Sequence, residues 1–425
     1  MNKLAALTLC ASLTLPLGFG LLNRAEAAPL PMASPVEGGF SAEGLERLDQ
    51  FFAREIEANR VPGAVVAIAR DGKLIHYKSY GYIDRSRNIP MPLDAVFGLA
   101  SMTKIMTSVA ALQLNEQGRL PLRSPLSDYY PGFASMKVGV AQPDGSLRLD
   151  PVVRPILIHD LFRHTSGLTY GGRGDHPISK LYPNGTQPAL EGNTTQFIDR
   201  MTKLPLAHQP GTAFEYSFST DVLGAVVEKV SGQRLGEYLD TNVWKPLGMT
   251  DTTFTISDRN RTRLATPFPK NPLDGKPQEV VVIKQQTTFD CGGACALGTV
   301  GDYLRFGQML LNGGTLEGKR ILSPQTVSHM TSNHLGPEIR NTVGLVEGHR
   351  EGFGFGLGVA VRTQAGLSAV PGSPGEFTWN GAFGTAFVAD PKEKLVLVFG
   401  TAAPGELRKY YREQVQAIVY GAMSR

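Results

Sequence analysis

The sequence predicts an α+β fold: one antiparallel sheet built from N- and C-terminal segments and flanked by helices, with a mainly helical region inserted between them. Three observations predict it. Residues 63–80 read as a β-hairpin, residues 353–401 read as a run of strands, and residues from about 100 to 330 carry helical stretches joined by long Gly- and Pro-rich loops. At 425 residues, 42% hydrophobic and 19% charged, the chain has ordinary globular composition and length enough to bury a substantial core.

The elements follow in chain order. Lys3, the apolar run from Leu4 to Leu22 and Ala25-Glu26-Ala27 make residues 1–28 an export signal, cut after Ala27 or Ala28. An uncleaved membrane anchor is the competing reading, since the run is nearly long enough to span; the small-residue site favours cleavage. No later stretch is apolar enough to cross a bilayer, so no stable membrane insertion is expected after cleavage. The expected compartment is periplasmic or secreted. Residues 29–38 read as a Pro-rich leader, and the folded domain is placed at 36–425. Ser41 can cap a helix to about residue 58, with Leu45, Leu48, Phe52 and Ile56 on one face. Gly63–Arg70 and Lys73–Tyr80 flank Asp71-Gly72, a favoured hairpin turn. Met102–Gln117, Thr220–Val230, Leu235–Asn242 and Val300–Asn312 read as helices. Phe353–Arg362, Glu376–Asn380, Phe383–Ala389 and Lys394–Thr401 read as strands, and Leu407–Ala422 as a closing helix. The sheet is therefore expected from about 60–100 and 350–405.

Charge and cysteine usage narrow the function. The net charge is +4 and spread along the chain, with no basic cluster of the kind that binds nucleic acid. After the signal only Cys291 and Cys295 remain. A small disulfide loop and two buried thiols fit that spacing about equally, and a structural zinc would need two more ligands than the neighbourhood offers. No metal and no cofactor is expected. The Asn-x-Thr triplets at Asn184 and Asn193 matter only in a host that glycosylates.

The chemistry concentrates in three segments. Ser101-Met-Thr-Lys104 opens a helix, and its spacing puts Ser101 and Lys104 one turn apart on one face. A serine hydroxyl is a weak nucleophile that needs a base, and a lysine at that distance can serve. The helix N-terminus adds free N–H groups for an oxyanion. By itself the motif is more simply an N-cap and a solvated lysine, because chance supplies such a pair on the order of once or twice in a chain this long. The second segment, Pro210–Gly224, puts Tyr216 at a loop-to-helix junction, where a phenol beside Lys104 can take and return a proton. The third, Phe377-Thr-Trp379-Asn380-Gly381-Ala382, reads as a strand edge interrupted by glycine, with the Ala382 N–H as a second oxyanion donor beside that of Ser101.

In this order the segments resemble the serine β-lactamase and penicillin-binding superfamily, whose nucleophile motif is Ser-x-x-Lys. Asp160–Leu168, Tyr216–Gly224, Trp244–Asp251 and Tyr303–Gly314 resemble the class C-like branch, which holds the family VIII carboxylesterases. The resemblance covers roughly residues 40–420. It implies Ser101 as nucleophile, Lys104 as its activating partner, Tyr216 as general base and acid, and the N–H groups of Ser101 and Ala382 as the oxyanion hole. Two departures bear on substrate. Phe218 stands where class C β-lactamases carry the Asn of Tyr-x-Asn, and Trp379-Asn380-Gly381 replaces their Lys-Thr-Gly. Losing an amide and a cation favours an apolar ester over an anionic lactam, with Phe218, Trp379, Asn380 and Gly381 as substrate-binding candidates. No Gly-x-Ser-x-Gly is present, and His164 reads as structural. The expectation is an exported serine esterase acting on a small-molecule acyl ester. A D-amino-acid peptidase or weak β-lactamase using the same residues is the alternative, and a non-catalytic sensor on the same fold is the third reading.

Overall fold

The computed structural model describes residues 29–172, 177–183, 191–278 and 287–424. The signal segment and Asn184 lie outside the described residues. Asn193 is inside, and its side chain caps the Thr194–Met201 helix by accepting from the Gln196 N–H at 3.0 Å.

The first strands are β1 (Gly63–Arg70), β2 (Lys73–Asp84), β3 (Ile89–Pro90) and β4 (Val96–Gly98). The inserted region holds the hairpin β5 (Lys137–Ala141) and β6 (Leu147–Pro151), then β7 (Leu297–Thr299) and the short pair β8 (Thr315–Leu316) and β9 (Lys319–Arg320). The C-terminal strands are β10 (Phe353–Phe355), β11 (Ala360–Arg362), β12 (Phe377–Asn380), β13 (Thr385–Asp390) and β14 (Leu395–Thr401). Eight of them form one sheet in the order β10-β11-β12-β13-β14-β1-β2-β3. Its neighbouring strands all pair antiparallel, and the β1–β14 ladder from Ala64↔Thr401 to Arg70↔Leu395 joins the two ends of the chain. The α+β architecture expected from the sequence is thus the one observed.

Alternation along the central strands explains their continuous apolar character. Val65, Ala67 and Ala69 face one core with Val396 and Val398. Ala64, Val66 and Ile68 face a second core with Leu395, Leu397 and Phe399. Successive side chains of a strand point to opposite faces, so a sheet covered on both sides must be apolar on both. The helices Ala42–Glu57 and Leu407–Gly421 cover the second face, with Leu48, Phe52, Tyr411 and Val415 fully buried. Thr103–Glu116, Ser219–Ser231 and Val300–Leu311 fill the larger core on the other side.

Three expectations are revised. The single strand read at Phe353–Arg362 is a hairpin, β10 and β11, because Gly358 turns at φ 92° between Phe355 and Ala360. The Leu235–Asn242 helix ends at Leu239 and continues as a π-turn over Asp240–Trp244. The Pro-rich leader docks: Leu30 is buried, and Leu74 donates to Pro31 O (2.7 Å) while Ala33 donates to Leu74 O (3.0 Å). Among the described residues no helix is long and apolar enough to cross a membrane.

Candidate active site

The site forms where β4 runs into the Thr103–Glu116 helix. Between them Ala100–Met102 makes a tight 3₁₀ turn, and Ala100 sits at φ 45°. That left-handed conformation costs a non-glycine residue about 1–2 kcal/mol. The surrounding contacts over-determine it: Leu99 N–H donates to Ala296 O (2.9 Å), the Tyr303 hydroxyl donates to Met102 O (2.9 Å), and Ala296 N–H donates to Thr103 Oγ1 (3.1 Å). Ser101 is left partly exposed on the turn, at the mouth of an otherwise buried helix.

Lys104 lies one turn further and is buried, with 1% of its surface exposed. Burying an ammonium is costly unless its donors are matched. Three acceptors surround Nζ: Ser101 Oγ at 3.5 Å, Tyr170 Oη at 3.2 Å and the Gly293 carbonyl at 2.5 Å. The ring of Tyr216 lies under it with its centroid at 4.7 Å. Behind them, Asp221 accepts from the Tyr170 hydroxyl (3.4 Å) and from the Gly293 N–H (2.9 Å). Burial raises the Asp221 carboxyl above its ordinary range, and the Lys104 charge opposes that rise.

Tyr216 occupies the loop before the Ser219–Ser231 helix. Its hydroxyl accepts from Trp379 Nε1–H at 3.1 Å, across the interface with β12. The Arg350 guanidinium stacks on that indole, 4.2 Å from the ring centroid. With its amide oxygen turned toward the guanidinium, Asn380 accepts from Arg350 Nη2 at 2.6 Å and donates to Trp379 O at 3.0 Å. Burial pulls the Arg350 pKa down to about 10, while Glu347 and Tyr216 pull it up. Lys104 over the ring, the Trp379 N–H on the hydroxyl and Arg350 across the indole thus surround one phenol.

The end of β12 lies against the serine turn. A Cβ on Gly381 would sit 2.4 Å from Leu99 O, so only glycine lets the two backbones approach this closely. Arg412, buried on the closing helix and paired with Glu347 at 2.6 Å, donates to Gly381 O. Gly381 C=O and Ala382 N–H belong to one planar trans peptide, so fixing the carbonyl on one side turns the N–H to the other. Ala382 is exposed there.

The predicted residues thus fall into two groups. Ser101, Lys104, Tyr216, Trp379 and the Gly381–Ala382 peptide come together. Phe218 and Asn380, expected to touch substrate, do not open onto the site. Phe218 is 1% exposed, with its ring 4.3 Å from that of Tyr170, because it belongs to the packed start of its helix. Asn380 follows Trp379 on a strand and so faces the opposite side of the sheet, toward Arg350. Trp379 itself is buried and reaches the site only through its N–H. His164 is fully buried, its ring nitrogens facing Ser217 Oγ (3.2 Å) and Thr220 Oγ1 (3.5 Å), beneath the Tyr216 ring. Cys291 and Cys295 are bonded to each other. Tyr170, Asp221, Gly293, Arg350 and Arg412 escaped the sequence reading. Only Asp221 left a signal, as a lone carboxylate ahead of an apolar helical run.

This fold and this constellation define a serine hydrolase with the β-lactamase architecture. The chain belongs to the Beta-lactamase family, whose family model matches residues 48–419. It is 37% identical over 361 residues to an uncharacterised protein of Mycobacterium tuberculosis, covering 83% of this chain and 88% of that one. It is 32% identical to a lovastatin esterase of Penicillium rubens, covering 82% and 90%. Among solved structures it resembles EstCE1, a hydrolase with promiscuous acyltransferase activity, at TM-score 0.74 and 29% identity, covering 89% of this chain and 98% of that one.

Proposed function

We propose that the protein is an exported carboxylesterase that works through an acyl-enzyme on Ser101. The observation that carries this reading is the Trp379 N–H on the Tyr216 hydroxyl, at the position where related β-lactamases present a lysine. An indole donor supports the phenol without offering a cation to a substrate carboxylate, which suits an uncharged ester. The esterase and hydrolase activities in the names of two relatives support the same choice.

Ser101 Oγ attacks the ester carbonyl as its proton passes to Tyr216, whose phenolate Lys104, Trp379 and Arg350 favour. The carbonyl oxygen becomes an oxyanion held by the N–H groups of Ser101 and Ala382. Collapse breaks the bond to the alcohol, which leaves with the proton from Tyr216. Water, or a second alcohol, then attacks the acyl-enzyme along the same path and frees Ser101.

The test is turnover of p-nitrophenyl acetate and butyrate against nitrocefin and D-Ala peptides. Ester turnover should dominate, vanish in Ser101→Ala, and fall about 10²–10⁴-fold in kcat in Tyr216→Phe, the usual worth of a positioned acid–base group. Equal ester rates in wild type and Ser101→Ala would refute the nucleophile, and amide turnover well above ester turnover would move the assignment to a D-amino-acid peptidase or β-lactamase. For export, the secreted or periplasmic form should begin at Ala28 or Pro29, and an intact N-terminus there would refute cleavage.

A further inference from the structure

The Cys291–Cys295 loop lies directly behind the serine–lysine pair, and the mechanism above makes no use of its cross-link. The bond joins cysteines four residues apart. Two of the residues it encloses touch the nucleophile helix at two points and the Ser219–Ser231 helix at one. Gly293 C=O accepts from Lys104 Nζ at 2.5 Å, Gly293 N–H donates to Asp221 Oδ1 at 2.9 Å, and Gly292 C=O accepts from Thr107 Oγ1 at 2.8 Å. The fit is close enough that neither glycine has room for a side chain. A Cβ on Gly293 would lie 2.2 Å from Asp221 Oδ2, and one on Gly292 would lie 2.9 Å from Thr220 O.

The position of the bond argues against a general staple. Cross-links stabilise chiefly by closing long loops in the unfolded chain, and this one closes almost the shortest possible. Both ends of the loop are also anchored without it. Asp290 takes the Gly236 N–H at 3.0 Å and an Arg234 nitrogen at 2.5 Å, and Leu297–Thr299 pairs with β4. The cross-link therefore adds little to the fold and much to the position of one carbonyl.

We infer that the Cys291–Cys295 disulfide is a positioning element for Lys104, so that turnover depends on its being oxidised. This rests on the reading of Lys104 as the partner of Ser101 and Tyr216. Held by the bond, the Gly293 carbonyl takes one ammonium hydrogen and leaves the others for Ser101 Oγ and Tyr170. Without it, the turn relaxes and the ammonium loses the acceptor that fixes its direction. Reduction proceeds by thiol exchange. One thiolate of a dithiol attacks the sulfur of Cys295, the less buried of the two residues, and releases the Cys291 thiol. The second thiol of the reagent then displaces Cys295, leaving two protein thiols and a cyclic disulfide.

The test compares wild type, oxidised and dithiothreitol-reduced, with the Cys291→Ser/Cys295→Ser variant. Protein is desalted under argon so that no thiol attacks the ester, and turnover of p-nitrophenyl butyrate is followed with titration of Ser101 by a fluorophosphonate. The reduced protein and the double variant should lose roughly 10- to 100-fold in kcat, the scale of a misplaced catalytic group, with KM within about twofold. The titratable Ser101 fraction should stay whole, and reoxidation should restore wild type but not the variant. Unchanged kcat on reduction overturns the proposal. So does a loss of titratable Ser101 in step with activity, which would make the bond a staple of the fold. Full loss in Tyr216→Phe with no redox effect would leave the esterase mechanism standing and remove this inference alone.

Discussion

Replacing Trp379 by Phe isolates the contact on which the esterase reading turns. The substitution keeps an aromatic ring on β12 and removes the Nε1–H that donates to Tyr216 Oη at 3.1 Å. If Tyr216 carries negative charge while it holds the Ser101 proton, the lost bond is one to an ionised acceptor, worth about 1.5–3 kcal/mol. At about 1.36 kcal/mol per decade, kcat should fall roughly 10- to 150-fold. KM should change little, because the indole is buried and its N–H points at the phenol. Losing a donor to the phenolate makes the phenol harder to ionise, so the pH dependence of kcat should move to higher pH. The assay is the pH profile of p-nitrophenyl butyrate hydrolysis, with a thermal melt to confirm the fold. A Trp379→Phe protein with wild-type kcat and an unmoved profile would refute the support of Tyr216 by this indole.

Two further outcomes follow from the same geometry. Gly381→Ala places a methyl 2.4 Å from Leu99 O and must push the Ala382 N–H off the serine turn; kcat should drop roughly 10²-fold, as for loss of one oxyanion donor, and boronic-acid affinity should fall in parallel. His349 is buried among Arg350, Arg412 and Arg362, with Glu347 and Glu413 opposing, and burial first and Arg350 second bring its pKa down to about 3. A depressed histidine contributes stability that is whole above its unfolded pKa, near 6.5, and is lost as pH falls toward 3. Between pH 7.5 and 5.5 wild type should therefore lose about 1 kcal/mol more than His349→Gln in urea melts, and parallel pH dependences would contradict it.

Much of this was legible in the sequence, for physical reasons that differ by element. The Gly63–Tyr80 hairpin announced itself because Asp71-Gly72 suits the turn, and both residues adopt positive φ there. The serine and lysine were legible as a pair one helical turn apart, and the tyrosine only through its segment and the order of the three segments together. What stayed hidden depends on contacts between residues distant in sequence. Arg350 and Arg412 are separated by 62 positions, yet both close on β12, through Trp379 and through Gly381. Gly293 meets Lys104 across 189 positions, and no pattern near either residue reports that meeting. Phe218 misled because its place in the motif suggested a lining residue, whereas packing against Tyr170 and Phe197 took it inside.

Ser101 should carry the acyl group during turnover. Rapid acid quench of the protein with p-nitrophenyl butyrate, followed by intact-mass and peptide analysis, tests it most directly. One butyryl adduct is expected on the Ser101 peptide of wild type and none in Ser101→Ala. An adduct on another residue, or undiminished turnover in Ser101→Ala, would contradict it.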